Sequence, residues 1–246
     1  MRRALCALLL LAGPCLASEP PLRFAVSESW TMPLMRLDNG VPSEGILYDI
    51  MRSLARQVGT TAELHVLARL RMQAAMERGD VDIRCYTAQS WAPNLSGDYI
   101  WSLPLIEQRD VLVGRPGAVA TSLDKLAGQP IGTVLGYYYA PLEASFAKGR
   151  FTRDDARNQD QVLLKLQAGR YRYAVSNEMS LNWFNRQKPG QPPLPRVALL
   201  EAQKLGCYAR NDPQVPVQRV LRTLLRMKMN GEIDRIIDSY TLPPAP

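Results

Sequence analysis

Apolar positions along this 246-residue chain switch repeatedly between a period of two and a period of three to four. Leu22-Arg23-Phe24-Ala25-Val26 alternates as a first strand. Ile46, Leu47, Ile50, Met51, Leu54, Ala55 and Val58 then share one helical face, and Gly59 stands where that helix should end. Residues 62–66 return as a strand, and residues 72–78 form a short helix closed by Gly79. Val81, Ile83 and Cys85 alternate on a further strand. This βαβαβ order predicts a parallel sheet with right-handed crossovers.

The pattern restarts after Gly128. Residues 131–135 read as a strand ending at Gly136, and a helix follows over 141–147. Val162, Leu163 and Leu166 mark another helix stopped by Gly169, after which Tyr171, Tyr173 and Val175 alternate. A helix over 178–186 precedes the proline-rich stretch 188–195. Two βα blocks of similar size imply two lobes. The last stretch, 215–240, is amphipathic and helical with a break at Asn230-Gly231. It has no strand of its own and is expected to pack back on one lobe.

The N-terminus changes the picture of compartment. Arg2 and Arg3 precede an apolar run from Ala4 to Leu11, and Cys15-Leu16-Ala17 supplies small residues at −3 and −1 of a cleavage site. The run is too short to span a bilayer, and Ser18-Glu19-Pro20-Pro21 follows it. A cleaved leader of residues 1–17 and a periplasmic destination are the expectation. A lipid anchor on Cys15 is disfavoured by Pro14. Loss of the leader lowers the formal charge from +7 to +5, with the cations scattered. No basic stripe interleaved with aromatics is present, so no nucleic-acid partner is expected. Of four cysteines, Cys85 and Cys207 remain. An even pair in an oxidising compartment suggests a disulfide, with two buried free thiols as the alternative.

Several short stretches then carry a family resemblance. They are Gly45-Ile-Leu-Tyr-Asp49-Ile, Ala75-Met-Glu-Arg-Gly79-Asp-Val-Asp82, Trp101-Ser-Leu-Pro104-Leu, Leu123-Asp124 through Gly128-Gln-Pro-Ile-Gly132, and Met229-Asn-Gly231-Glu-Ile233. In that order and behind a leader, the chain resembles the family 3 extracellular solute-binding proteins, the type II periplasmic clamps of the polar amino acid receptors. The resemblance spans residues 22–240. It implies an α/β, two-lobed Venus-flytrap fold with the second lobe inserted into the first. Lobe 1 would be 18–112 plus 200–246 and lobe 2 would be 113–199. Hinge strands would run near 110–113 and 196–200, and both Cys85 and Cys207 would lie on first-lobe strands.

The resemblance also says where to look for a ligand. The family's carboxylate-holding arginine belongs in the stretch from Cys85 to Gln108, which here contains no Arg or Lys. The family's second-lobe acid position reads Asn177, with Glu178 just beyond. What stands at the strand ends is aromatic and neutral, and open α/β sheets bind ligands there. Trp30, Tyr86, Thr87, Trp91, Tyr137 and Asn177 are the candidate ligand-binding residues, with Arg71 added for an anion and Arg69 beside it.

A lone histidine, His65, leaves little for catalysis. No Gly-x-Ser-x-Gly elbow, phosphate loop or CxxC occurs, so no catalytic residue, metal or other cofactor is assigned. The expectation is a monomeric solute-binding protein taking a small polar or aromatic molecule and serving ABC transporter membrane subunits. A transporter-independent sensor that binds another periplasmic protein is the alternative. A dehydratase of the cyclohexadienyl type on the same fold is the third reading.

Overall fold

The computed structural model describes residues 19–91, 95 and 97–242; the expected leader of residues 1–17 lies outside them. In chain order the strands are β1 (Leu22–Ser27), β2 (Arg36–Asp38), β3 (Val41–Glu44), β4 (Ala62–Leu67), β5 (Ile83–Thr87), β6 (Tyr99–Trp101), β7 (Ile106–Gly114), β8 (Gln129–Val134), β9 (Phe151–Ala156), β10 (Tyr173–Asn177) and β11 (Arg196–Arg210). The helices are α1 (Ile46–Val58), α2 (Met72–Arg78), α3 (Ala140–Ala147), α4 (Gln159–Gln167), α5 (Glu178–Arg186), α6 (Val217–Met229) and α7 (Glu232–Thr241).

Among the described residues one continuous sheet of nine strands runs in the order β4-β1-β5-β11-β7-β10-β8-β9, with β6 paired to β11. At one end β4, β1 and β5 are parallel, as are β10, β8 and β9 at the other. The two ends are joined by β7 and β11, which pair antiparallel from Ile106–Leu205 to Val113–Arg196 through two register shifts.

Each end builds its own core. The apolar face of α1 meets β1, β5, α6 and α7 around Phe24, Met51, Leu54 and Leu224, all fully buried. On the opposite face α2 packs Met72 and Met76 against Tyr208. At the far end α4 and α5 bury Leu163, Leu166 and Leu181 on one face. There α3 covers the other face through Leu142 beside Ile131. Burial of each such Leu or Met contributes roughly 1.5–3 kcal/mol.

Local chemistry explains where elements stop. Gly59 takes the left-handed conformation, so its N–H and that of Thr60 cap the end of α1 on Arg56 and Ala55 carbonyls. Asn39 and Gly40 both have positive φ, the requirement of the tight turn that makes β2 and β3 a hairpin. Gly132 has another reason: a Cβ there would meet the Tyr171 ring at 2.2 Å.

The family-like motifs prove to be structural. Asp49 Oδ2 accepts from the Tyr240 hydroxyl at 2.8 Å, which ties α7 to α1. Asp82 takes a two-pronged contact from Arg23 at 2.6 and 2.8 Å, with Arg210 at 3.4 Å.

Two strands ran against the sequence reading. β9 carries Arg153, Asp154 and Asp155, a poor strand composition. It is stabilised as an edge by Lys165 and Arg170 on Asp154, each at 3.0 Å, and by Arg153 on Asp155. β11 is far longer than its apolar part, because its polar middle pairs with β7 across the join.

Cys85 and Cys207 are bonded to each other, linking β5 to β11 within one end of the sheet. The bridge closes a separation of 122 residues, which in the chain-entropy account is worth about 5 kcal/mol. Replacing both cysteines with serine is expected to lower the denaturant-derived stability by about 2–5 kcal/mol. An unchanged midpoint in urea would show that the bond constrains nothing that unfolding releases.

Candidate functional site

Between the two ends of the sheet lies an enclosed cavity of about 30 Å³, space for little more than a water molecule. Leu34, Arg69, Tyr86 and Trp91 line it from the side of β1 and β5. Gln108 and Asp110 reach it from β7, and Tyr137, Tyr138, Tyr139, Gln159 and Asn177 from the side of β8 and β10. The β-strand ends deliver most of these side chains: Tyr86 is near the end of β5, Asn177 is the last residue of β10, and the tyrosines follow β8.

Contacts across the cleft hold the two sides together. Ser29 Oγ donates to the Tyr137 hydroxyl at 3.0 Å. Arg69 lies over two rings from opposite sides, 5.9 Å from the centre of Trp91 and 5.5 Å from that of Tyr137. Arg186 on α5 donates to the carbonyls of Tyr240 and Thr241 at the end of α7. The lobes are therefore closed on each other.

The electrostatics are unbalanced. Arg69 is half-buried, and that desolvation, together with the charge of Arg84, lowers its pKa to about 10. It remains charged at neutral pH. Arg84 on β5 is also buried, with Tyr208 as its neighbour: Nη1 is 3.4 Å from the hydroxyl and the guanidinium sits 6.0 Å from the ring centre. Asp110 accepts from Gln108 Nε2 at 2.7 Å. Burial, with a smaller contribution from Glu201, pushes its carboxyl up to about 7 against that hydrogen bond. The Tyr86 hydroxyl is buried without a hydrogen-bond partner. Its backbone holds φ at 59°, a conformation that costs a bulky residue energy and that clusters at functional sites.

Four of the seven expected ligand residues, Tyr86, Trp91, Tyr137 and Asn177, are brought together here. Three are placed elsewhere. Trp30 is 6% exposed in the core and packs edge-on against Tyr86 at 6.1 Å, so it supports a cavity wall instead of forming one. Thr87 faces an outer groove with Gln89 and Gln203. Arg71 is exposed, and Arg69 enters the cavity, because the 3-10 turn Arg69–Arg71 points its first residue inward and its last outward. Asn177 caps α5, its Oδ1 accepting from Ser180 N at 2.8 Å and its Nδ2 donating to Ser180 Oγ at 3.0 Å. Glu178 pairs with Arg196 at 2.7 Å and lies outside the cavity. Sequence reasoning missed Asp110 and Gln108. Their signal, a polar run Glu107-Gln108-Arg109-Asp110 at the start of a strand that ends apolar, was present but ambiguous.

Similarity to solved structures enters at this point. An ancestral arginine-binding protein bound to arginine superposes with a TM-score of 0.74 at 19% identity, covering 89% of this chain and 97% of that one. A histidine kinase sensor domain with similarity to periplasmic binding proteins gives 0.72 at 19%, covering 92% and 98%. An arginine transport-system periplasmic binding protein from Legionella pneumophila gives 0.70 at 17%, covering 89% and 99%. The chain has the two-lobed fold of the type II periplasmic binding proteins. No protein-family model matches the chain, and no curated protein does. At these identities the likeness speaks for the clamp architecture, and the cavity's own residues must speak for its chemistry.

The raised Asp110 pKa has a consequence for this clamp's stability. An unfolded aspartate releases its proton near 3.8, whereas the folded one holds it to about 7. Between those values the folded state binds more protons, so its stability falls as pH rises through the window and levels off above 7. Asp110→Asn is expected to flatten that slope in urea titrations at pH 5 and pH 8. An equal slope in both proteins would place its source elsewhere.

Proposed function

We propose that this chain is a periplasmic solute-binding protein that captures a small polar solute in the cleft between its lobes. The observation that carries the reading is that one enclosed cavity draws charged and aromatic side chains from both lobes and from a strand that joins them. A ligand touching both sides favours the closed form over the open one, the basis of hinge closure. The leader of residues 1–17 is removed on export, and the mature chain works as a monomer. Its lobes are 18–112 with 200–246, and 113–199.

Delivery to ABC transporter membrane subunits fits the transport-system protein among the similar structures. The histidine kinase sensor domain among them supports the alternative, a clamp that reports its solute to another periplasmic protein. Among the described lining residues Asp110 and the tyrosines are the acid–base groups, and in this reading they hold and orient the solute.

The test is a thermal-shift screen of the chain from Ser18 on against amino acids, amines, neutral polar solutes and small acids. A solute that binds only the folded state raises the melting temperature by mass action, about 2.7 kcal/mol of stabilisation at a hundredfold excess over Kd. Trp91→Ala is expected to weaken the responding solute, because Trp91 holds Arg69 in place. A folded protein that responds to no class in the screen would sink the solute-binding reading.

A further inference from the structure

We infer that the solute is a small organic acid of net negative charge, held by Arg69 with Arg84 behind it, and that it carries no compensating ammonium. This rests on the solute-binding reading and narrows it to one chemical class.

The argument starts from uncompensated charge. Arg84 is buried and Arg69 half-buried, and neither has a carboxylate within ion-pair distance among the described residues. Buried cations are ordinarily paired, since desolvating a charge without a partner is costly. Here the surroundings are aromatic instead. Trp91 and Tyr137 flank Arg69, and Tyr208 lies against Arg84 with its hydroxyl turned to Gln73 at 3.3 Å. The two rings at Arg69 therefore hold the arginine, which leaves its N–H edge as the recognition surface. A guanidinium presents a fork of donors that matches a carboxylate or related oxyanion.

Charge balance then excludes a neutral zwitterion as the best fit. Asp110 is the acid among the described lining side chains; with Arg69 lining the cavity and Arg84 behind it, even an ionised Asp110 leaves one positive charge in excess. An ammonium would need an acceptor besides Asp110, which already accepts from Gln108, and the second lobe is where it would stand. There Asn177 is already engaged with Ser180, and Glu178 is turned outward to Arg196. The unpartnered Tyr86 hydroxyl is a donor suited to a second acid oxygen or a carbonyl. A net-negative solute satisfies these groups together. A neutral amino acid would leave a buried excess of positive charge.

Isothermal titration of the chain from Ser18 on, at low salt and neutral pH, tests this with a matched set: succinate, its diamide succinamide, and aspartate. The expected result is that succinate binds and that the other two bind at least about tenfold more weakly, the diamide through loss of one or two charge-assisted hydrogen bonds and aspartate through an ammonium buried without a free acceptor. Arg69→Met should weaken succinate by about tenfold or more on the same grounds, and Arg84→Met by a smaller factor, through lost attraction from behind Arg69. Each should also keep or raise the melting temperature without solute, because each removes a like-charge neighbour. A purely structural arginine would do the reverse, lowering the melting temperature and sparing affinity.

Binding of aspartate or the diamide as tightly as succinate overturns the inference and leaves the solute-binding reading standing. So does undiminished succinate affinity in both variants. If succinate fails but a neutral or cationic solute from the wider screen binds, the inference falls alone. Failure of every class takes both with it.

Discussion

The ladder between β7 and β11 is the constraint on which the rest of the molecule depends. Both strands are long, antiparallel and shared: β7 pairs onward with β10, and β11 with β5 and β6. Because each strand belongs to both halves, the parallel β4-β1-β5 and β10-β8-β9 sets are held in one sheet while their helices build separate cores. A cleft between two cores is the necessary result. The same ladder places Gln108 and Asp110 at the floor of that cleft, where a strand that must pair on both sides also presents a carboxyl to the cavity.

Burial then decides the chemistry. In water, an arginine and an aspartate lining one small space would be unremarkable neighbours. Removed from it, Arg69 has its pKa lowered and Asp110 has its raised, each toward its uncharged form. The aromatic rings matter for the same reason. They exclude water from Arg69 while offering it the faces of Trp91 and Tyr137, which supply electrostatic attraction but no counter-charge. The site is thus arranged around a cation that its own protein does not neutralise. Closure, a hinge strand and an aromatic sleeve are separate features of the fold, and the proposed ligand chemistry needs all three.

The disulfide fits this division of labour. It fastens β5 to β11 inside one lobe and does not cross the cleft, so it stiffens the platform that carries Tyr86 without tying the lobes together. Tyr86, the residue after Cys85, is the one bulky residue of the described cavity wall held at positive φ. The bond and the strained backbone are adjacent in sequence. A rigid strand is what allows an unfavourable conformation to persist.

Much of this was legible in the order of apolar residues. The helix face from Ile46 to Val58, the alternation in Leu22–Ser27 and the glycines that end elements are local signals, and local periodicity is enough to place an element in an α/β layer. Four cavity residues were legible too, because strand ends are where such sheets bind. The remainder depended on neighbours far away in the chain. Strand β9, with its acids, is a strand because it pairs along β8, where Lys165 and Arg170 meet Asp154 from α4 and beyond. Whether Arg69 or Arg71 enters the cavity turns on the direction of a single 3-10 turn, and whether Trp30 is wall or core turns on where Tyr86 sits. Sequence sets which face of an element is apolar. Only the packing of one element on another sets which polar group is stranded inside, because desolvation and pairing are properties of a residue's surroundings and not of the residue.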